Sequence, residues 1–160
     1  MSGRVDLYDS AYSHYEAEAY RQIRIATYGE DLGQTSWVTS EESAEIPRLL
    51  QINPASRFLE IGCGSGRYAL QIANTIGCTV VGVDINQAGI RNSIELTRAR
   101  GLSGRVTFQQ CDASQKLPFP DASFNAVVAN DVLCHIPGRP AVFQEIFRVL
   151  KPTGSAMRWS

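Results

Sequence analysis

Short apolar runs alternate with stretches of helical periodicity along residues 57–159. The runs have the length and the turn-forming flanks of buried strands, and the stretches between them have the spacing of amphipathic helices. Strands that alternate with helices indicate βαβ units with right-handed crossovers, and therefore an α/β fold around a parallel sheet. The predicted strands are 57–61, 79–83, 106–110, 124–129 and 155–159, and the predicted helices are 68–75, 87–100 and 139–150.

The first fifty residues lack this alternation. They are rich in Tyr, Glu, Gln and Arg, and they show weak helical periodicity at 16–26 and 40–50. Ser40 can cap the second of these helices, and Asn53-Pro54 breaks the chain before the first strand. We therefore predict two parts, an N-terminal helical cap over residues 1–52 and an α/β core over residues 53–160.

Composition narrows the class of protein. Fifteen Lys and Arg residues against sixteen Asp and Glu give a net charge of -1, without the basic face that nucleic-acid binding usually needs. No apolar run approaches the ~20 residues of a membrane span, and the N-terminus lacks the apolar stretch of a signal peptide. The cysteines are too far apart to suggest a disulfide framework or a zinc site, so we expect a reduced, cytoplasmic location and no metal. These cysteines are Cys63, Cys78, Cys111 and Cys134.

The sharpest motif is the glycine loop Gly62-Cys-Gly-Ser-Gly66, placed where the first strand turns into a helix. Glycines there let the backbone turn tightly and approach a ligand, and the N–H groups of the following helix favour an anionic group. Glu60 lies two residues before the loop. Asp84 ends the next strand, about 20 residues on, where a carboxylate meets ribose hydroxyls.

The spacing of this loop argues against a dinucleotide. A G-x-G-x-x-G pattern that starts at Gly62 needs glycine at position 67, where the chain has Arg67. A nicotinamide-dependent oxidoreductase is therefore disfavoured. A plain structural turn is the other alternative, and Asp84 and Asp112 would then only cap turns.

Four segments resemble, in order, the motifs of class I S-adenosylmethionine-dependent methyltransferases. They are LEIGCGSG, VVGVDI, CDASQKLPFPDASFNAVVAND and RVLKPTG, which together cover residues 57 to about 154. The resemblance implies a Rossmann-like doubly wound sheet of strand order 3-2-1-4-5 that binds S-adenosyl-L-methionine. It implies that the methionine end is held by Glu60, Gly62, Cys63, Gly64 and Gly66, the ribose by Asp84, and the adenine by Ile85, Asp112 and Ala113, with Asn130 beside the sulfonium.

The acceptor side is less defined. His135 falls just after the fourth strand, near the expected mouth of the pocket, where it could act as a base or simply be hydrogen-bonded in a loop. The N-terminal tyrosines could form an aromatic wall for a cation or could pack a helix face. They are Tyr12, Tyr15, Tyr20 and Tyr28.

A narrower resemblance concerns the acceptor. Tyr28-Gly-Glu-Asp, Gly33-Gln-Thr-Ser-Trp37 and NDVLCHI are similar to small-amine methyltransferases of the phosphoethanolamine and sarcosine groups. In the phosphoethanolamine group a tyrosine pairs with a histidine after the fourth strand, which implies that His135 and Tyr20 are catalytic, with Tyr28 as the rival tyrosine. Gln34 and Ser36 fall where that group contacts the cofactor.

These patterns favour a methyltransferase that acts on a small molecule, with an amine as the expected acceptor. A quinone-type C-methyltransferase and a cofactor-binding module without catalysis are the alternatives. The family's usual last two strands are missing, which would make the fifth strand an edge. Val149, Leu150, Met157 and Trp159 would add apolar surface there, so we expect a homodimer through this edge.

Overall fold

The computed structural model describes Tyr12, His14, residues 17–29, Asp31 and residues 40–159, without the side chains of Ser40, Ser43 and Trp159. Helices and strands alternate in this part of the chain as the hydrophobic pattern predicts. The elements, in order, are α1 (Glu18–Tyr28), α2 (Ser40–Leu49), β1 (Arg57–Ile61), α3 (Arg67–Ile76), β2 (Thr79–Asp84), α4 (Gln87–Ala99), β3 (Val106–Gln110), β4 (Phe124–Asn130), α5 (Arg139–Val149) and β5 (Leu150–Trp159).

The predicted element boundaries agree with the structure to within two residues, except at the start of β5. We predicted a helix to residue 150 and a turn at 151–154, whereas β5 already begins at Leu150. Phe124 pairs with Leu150 and Ala126 pairs with Ser155, so four residues of β5 lie opposite Asn125 alone. The predicted turn is therefore an irregularity inside the strand, because pairing with β4 resumes on both sides of it.

The five strands form one parallel sheet in the order β3-β2-β1-β4-β5, which confirms the predicted fold class. The sheet order reverses between β1 and β4. In an open α/β sheet such a switch point leaves a crevice at the carboxyl ends of the strands, where ligands bind. Among the described helices, none combines the length and apolar character that a bilayer span requires.

Alternate strand residues pack on opposite faces of the sheet, as the period of two requires. Phe58 and Val80 lie in a buried cluster with Tyr68 and Ile72 of α3. Neighbouring strand residues instead join Val142 and Ile146 of α5, and these contacts cover the other face of the sheet. Because both faces are covered, the central strands are mostly apolar, and Glu60 of β1 is a buried exception.

Helix α2 belongs to the same buried core as α3. Ile46 is fully buried, and Leu50 just after the helix is 6% exposed. Both lie in the cluster that contains Phe58 and Ile72. The predicted division at residue 52 therefore does not coincide with a division of the core.

Candidate functional site

The glycine loop closes against the end of β2 and the segment after β4. The N–H groups of Gly62 and Cys63 both donate to the carbonyl of Val83, at 2.8 and 3.1 Å. Gly62 has a φ of 74°, and a Cβ built there would lie 2.5 Å from the Val132 side chain. Only glycine combines this left-handed backbone with so close an approach, which explains its presence at position 62.

Asp84 lies at the carboxyl end of β2 and holds the loop. Its Oδ2 accepts a hydrogen bond from the N–H of Gly64 at 2.8 Å, and its Oδ1 accepts one from the N–H of Asn86, also at 2.8 Å. The side chain is only half-buried. A carboxylate offers about four lone-pair positions, so one such side chain can hold a loop and also face a ligand.

Glu60 is buried beneath the loop and is 3% exposed. Its Oε2 accepts a hydrogen bond from the N–H of Ala69 at 3.0 Å, which satisfies a donor in the first turn of α3. Burial, reinforced by the charge of Asp84 and opposed by the Ala69 N–H, raises the pKa of Glu60 to about 8. The carboxyl group is therefore largely protonated at neutral pH, and its expected role toward a ligand ammonium stays a prediction.

The sequence-predicted adenosine residues line one cleft of about 130 Å³. Asp84, Ile85, Asp112 and Ala113 all contribute to it, and Ile85 is 63% exposed beside it. Ligand pockets usually measure roughly 300–1,000 Å³, so this cleft suits one end of the cofactor rather than the whole molecule. Gly62 of the glycine loop lines the same cleft, so the loop adjoins it.

Asp112 fits both interpretations of its role. Its Oδ1 accepts hydrogen bonds from the Ser114 N–H at 2.9 Å and the Ser114 hydroxyl at 2.7 Å, so it does close a turn. Asp112 also lines the cleft and is exposed there. Turn formation and ligand contact are compatible because the second carboxylate oxygen can serve the cleft.

Asn130 ends β4 with an unsatisfied acceptor. The residue is 8% exposed, and its Oδ1 is buried without a hydrogen-bond partner. Ser65 in the glycine loop is 3% exposed, and its buried hydroxyl likewise has no hydrogen-bond partner among the described residues. Unpaired buried polar atoms are costly, and at a crevice they indicate places where a ligand supplies the missing partner. The predicted cofactor offers an ammonium group and hydroxyls, which suit these acceptors.

The structure brings His135 to the predicted pocket. Its backbone N–H donates to the carbonyl of Val132 at 2.9 Å, which folds the segment after β4 back toward the glycine loop. The side chain is exposed and lines the same cleft as Gly62 and Asp84. Cys63, in contrast, is buried in the loop at 6% exposure, and burial raises the pKa of its thiol.

Two of the four candidate N-terminal tyrosines, Tyr12 and Tyr28, lie at the glycine loop or beside the residue that follows it. Tyr12 is 7% exposed, and its hydroxyl fills the space that a Cβ on Gly64 would occupy. Its carbonyl accepts a hydrogen bond from Asn92 Nδ2 at 3.1 Å. Tyr28 lies under the guanidinium of Arg67, while Tyr20 is 41% exposed. No spacing in the sequence distinguishes Tyr12 from the other N-terminal tyrosines.

Three predicted positions lie outside the described residues: Gln34, Ser36 and Tyr15. Within the described ranges, no group of three His, Cys, Asp or Glu side chains is arranged to hold a metal ion. The four cysteines are free thiols.

Comparison with known proteins identifies the family. The model of the methyltransferase domain family matches residues 59–157, which include the glycine loop, Asp84, Asp112 and Asn130. The chain belongs to this methyltransferase family. Methyltransferases of the family depend on S-adenosyl-L-methionine, which confirms the predicted cofactor.

The chain resembles enzymes that are named for different acceptors. It is 32% identical over 141 residues to the sterol 24-C-methyltransferase of Yarrowia lipolytica, covering 88% of this chain and 33% of that protein. It is 33% identical over 140 residues to phosphoethanolamine N-methyltransferase 1 of Arabidopsis thaliana, covering 86% of this chain and 28% of that protein. The chain thus spans about a third of the length of these curated relatives.

The fold has close structural counterparts. A protein of Methanococcus maripaludis, provisionally named an S-adenosyl-L-methionine-dependent methyltransferase, superposes with a TM-score of 0.77 at 17% identity. The match covers 99% of this chain and 67% of that one. At this identity the likeness establishes the fold only.

Proposed function

We propose that this domain transfers a methyl group from S-adenosyl-L-methionine to a small-molecule acceptor. The observation that carries the proposal is the buried, unpaired Oδ1 of Asn130, the last residue of β4, next to the end of β1 where the glycine loop begins. When bound, the cofactor supplies a methyl carbon on a sulfonium. An acceptor's lone pair would take up that methyl carbon, and the carbon–sulfur electron pair would remain on sulfur.

The chain's residues hold the cofactor in two groups. Asp84 would bind the ribose hydroxyls, and Ile85, Asp112 and Ala113, which line the cleft, would surround the adenine. Glu60, Gly62, Cys63, Gly64 and Gly66 would hold the methionine end, with Gln34 and Ser36 as further expected contacts. Asn130 would lie beside the sulfonium, and the acceptor would approach from the side of the N-terminal helices.

Methyl transfer needs alignment and the exclusion of water more than covalent help from the protein. A protonated amine or a hydroxyl acceptor must also lose a proton. His135 is the candidate base, because its imidazole is exposed and lines the cleft. Tyr20 and Tyr28 are the candidate tyrosines to act with it.

An amine is the proposed acceptor. The similarity of NDVLCHI to small-amine enzymes supports it, as does the relative named for phosphoethanolamine. A carbon acceptor is the second candidate, supported by the relative named for sterol C-methylation. The third is a cofactor-binding module without catalysis.

Binding and turnover separate these candidates. Calorimetry with S-adenosylhomocysteine, with NAD as the matched control, is expected to show micromolar binding of the first and none of the second. Transfer of labelled methyl groups to a panel of amines, phenols, quinols and sterols then identifies the acceptor class. Tighter binding of NAD overturns the proposal, and binding without any transfer favours the module.

Self-association through β5 also stays a proposal. β5 lies at the edge of the sheet and pairs with β4. The apolar surface expected there is mostly absent, because Val149 is fully buried and Leu150 is 8% exposed. Both pack into the core beneath the edge, and Met157 is partly buried against it. Light scattering across a range of concentrations tests for a dimer, and a monomer throughout would end the proposal.

A further inference from the structure

The end of α1 contacts the residue that follows the glycine loop, through Tyr28. Tyr28 is the last residue of α1 and is half-buried. The guanidinium carbon of Arg67 lies 4.8 Å from the centroid of its ring. Arg67 directly follows Gly66 and is only 7% exposed. The ring of Tyr28 therefore rests on the residue that connects the glycine loop to α3, in a cation–π contact.

A second charged residue approaches Tyr28 from β4. Asp131 follows Asn130, is half-buried and has a φ of 50°, a left-handed conformation that asparagine and aspartate tolerate better than most residues. Burial raises the pKa of the Tyr28 hydroxyl, the charge of Arg67 lowers it, and the charge of Asp131 raises it. The net shift is upward, so Tyr28 keeps its proton at neutral pH and can donate a hydrogen bond.

A buried ion pair fixes the end of α1 where Tyr28 lies. Arg24 Nη2 donates to Asp31 Oδ2 at 3.1 Å, and Arg24 Nε donates to Asp31 Oδ1. The Arg24 side chain is 7% exposed and the Asp31 side chain 20%. This pair closes the turn at Gly29, whose φ is 79°, and so joins the residues on both sides of Tyr28. Bidentate pairs of this kind add geometric definition to a site.

We infer that Tyr28, rather than Tyr20, is the tyrosine on the methyl-acceptor side of the cofactor, and that Arg67 positions its ring. The inference rests on the proposed function. Two charged residues interact with Tyr28, namely Arg67 and Asp131. Arg67 directly follows Gly66, which is assigned to the methionine end, and Asp131 directly follows Asn130, which is assigned to the sulfonium. Tyr20 lies eight residues earlier on α1, about 12 Å along the helix axis at 1.5 Å per residue. The two tyrosines therefore occupy different places, and Tyr28 contacts Arg67, the residue that follows the loop.

An experiment without an acceptor tests this. The six tyrosines are labelled with ¹³C at Cζ, and spectra are recorded with S-adenosylhomocysteine and with sinefungin. Sinefungin carries an amine cation where the methyl donor carries its sulfonium. Tyr28→Phe and Tyr20→Phe identify the two signals. We expect the Tyr28 signal to differ between the two complexes by more than the Tyr20 signal. If both ligands bind and only the Tyr20 signal differs, or neither does, the inference is wrong.

The same variants have a kinetic readout. With any acceptor that supports turnover, Tyr28→Phe is expected to lower kcat about tenfold or more and to leave the Kd of S-adenosylhomocysteine within twofold. A larger loss in Tyr20→Phe than in Tyr28→Phe overturns the assignment. Arg67→Met, which removes the stacked cation, should abolish the difference in the Tyr28 signal between the two complexes. If that difference survives, Arg67 does not position the ring. If neither ligand binds the unaltered protein, the proposed function itself fails.

Discussion

Asp84 Oδ2 accepts the backbone N–H of Gly64 at 2.8 Å, which joins the end of β2 to the glycine loop after β1. The other oxygen of Asp84 accepts the N–H of Asn86, just before α4. The Asp84 carboxylate thus connects the segments that follow β1 and β2, without any ligand. Since Asp84 also lines the cleft, the proposed ribose contact and the geometry of the loop would depend on the same side chain.

Replacement of Asp84 should therefore weaken cofactor binding. Asp84→Asn keeps one oxygen acceptor but loses the charge, and charge-assisted hydrogen bonds contribute roughly 1.5–3 kcal/mol, or about 10- to 100-fold in Kd. Calorimetry with S-adenosylhomocysteine measures the change. Asp121→Asn, an exposed carboxylate that pairs with Arg148, is the matched control and should leave Kd unaltered. An unaltered Kd in folded Asp84→Asn protein would place the ribose elsewhere.

The buried carboxyl group of Glu60 predicts a pH dependence of stability. Its folded pKa of about 8 exceeds the ordinary glutamate pKa of 4.5, so between these values the native state keeps a proton that the unfolded chain has released. This group therefore lowers the free energy of unfolding as pH rises through the window, by up to about 1.4 kcal/mol per pH unit. Glu60→Gln removes that dependence while it can still accept the Ala69 N–H.

Urea unfolding between pH 5 and 8 checks this expectation for Glu60. The variant should gain stability relative to the unaltered protein as pH increases. Glu145→Gln is the control with the opposite sign, because the hydrogen bond from Arg148 lowers the pKa of Glu145. Its loss of stability should stay constant across the same window. A constant difference for Glu60→Gln as well would mean that Glu60 is ionised in the folded protein.

The sequence predicted the elements that depend on local pattern and the residues that belong to recognisable motifs. The strand ends at Asp84 and Asn130 were predictable because parallel strands bring their carboxyl ends to one edge. Tyr12 and Arg67 were not, since their roles arise from contacts across long stretches of chain. Tyr12 meets Gly64 and Asn92, and nothing in its local sequence encodes those partners. The burial of Val149 and Leu150 was likewise missed, because it depends on how α5 packs against the sheet.

His135 gives a prediction that separates catalysis from binding. His135→Ala should lower turnover by roughly 100-fold if it acts as general base, with the Kd of S-adenosylhomocysteine nearly unaltered. A loss of cofactor affinity is the alternative outcome, because His135 lines the cleft together with Asp84. A large loss of cofactor affinity in a folded variant would move His135 to the cofactor side. The other histidine, His14, is exposed, and His14→Ala is the control that should retain full turnover.

Position 66 needs glycine for two reasons, a left-handed backbone and the lack of space for a Cβ. A matched pair of variants can separate them. Gly66 and Gly101 have similar left-handed φ values, 80° and 67°. An alanine Cβ at Gly101 would meet nothing within 4 Å, whereas one at Gly66 would lie 2.5 Å from Phe108 Cζ and 2.9 Å from Ser93 Cβ. Gly101→Ala should therefore cost only the backbone term, about 1–2 kcal/mol. Gly66→Ala should cost a further ~1–3 kcal/mol from overpacking, and it should also weaken S-adenosylhomocysteine binding because the loop must shift.

Urea unfolding and calorimetry on both variants measure these effects. Equal losses of stability would mean that Phe108 moves aside freely, and the close packing of the loop against β3 would then have no part in fixing the site.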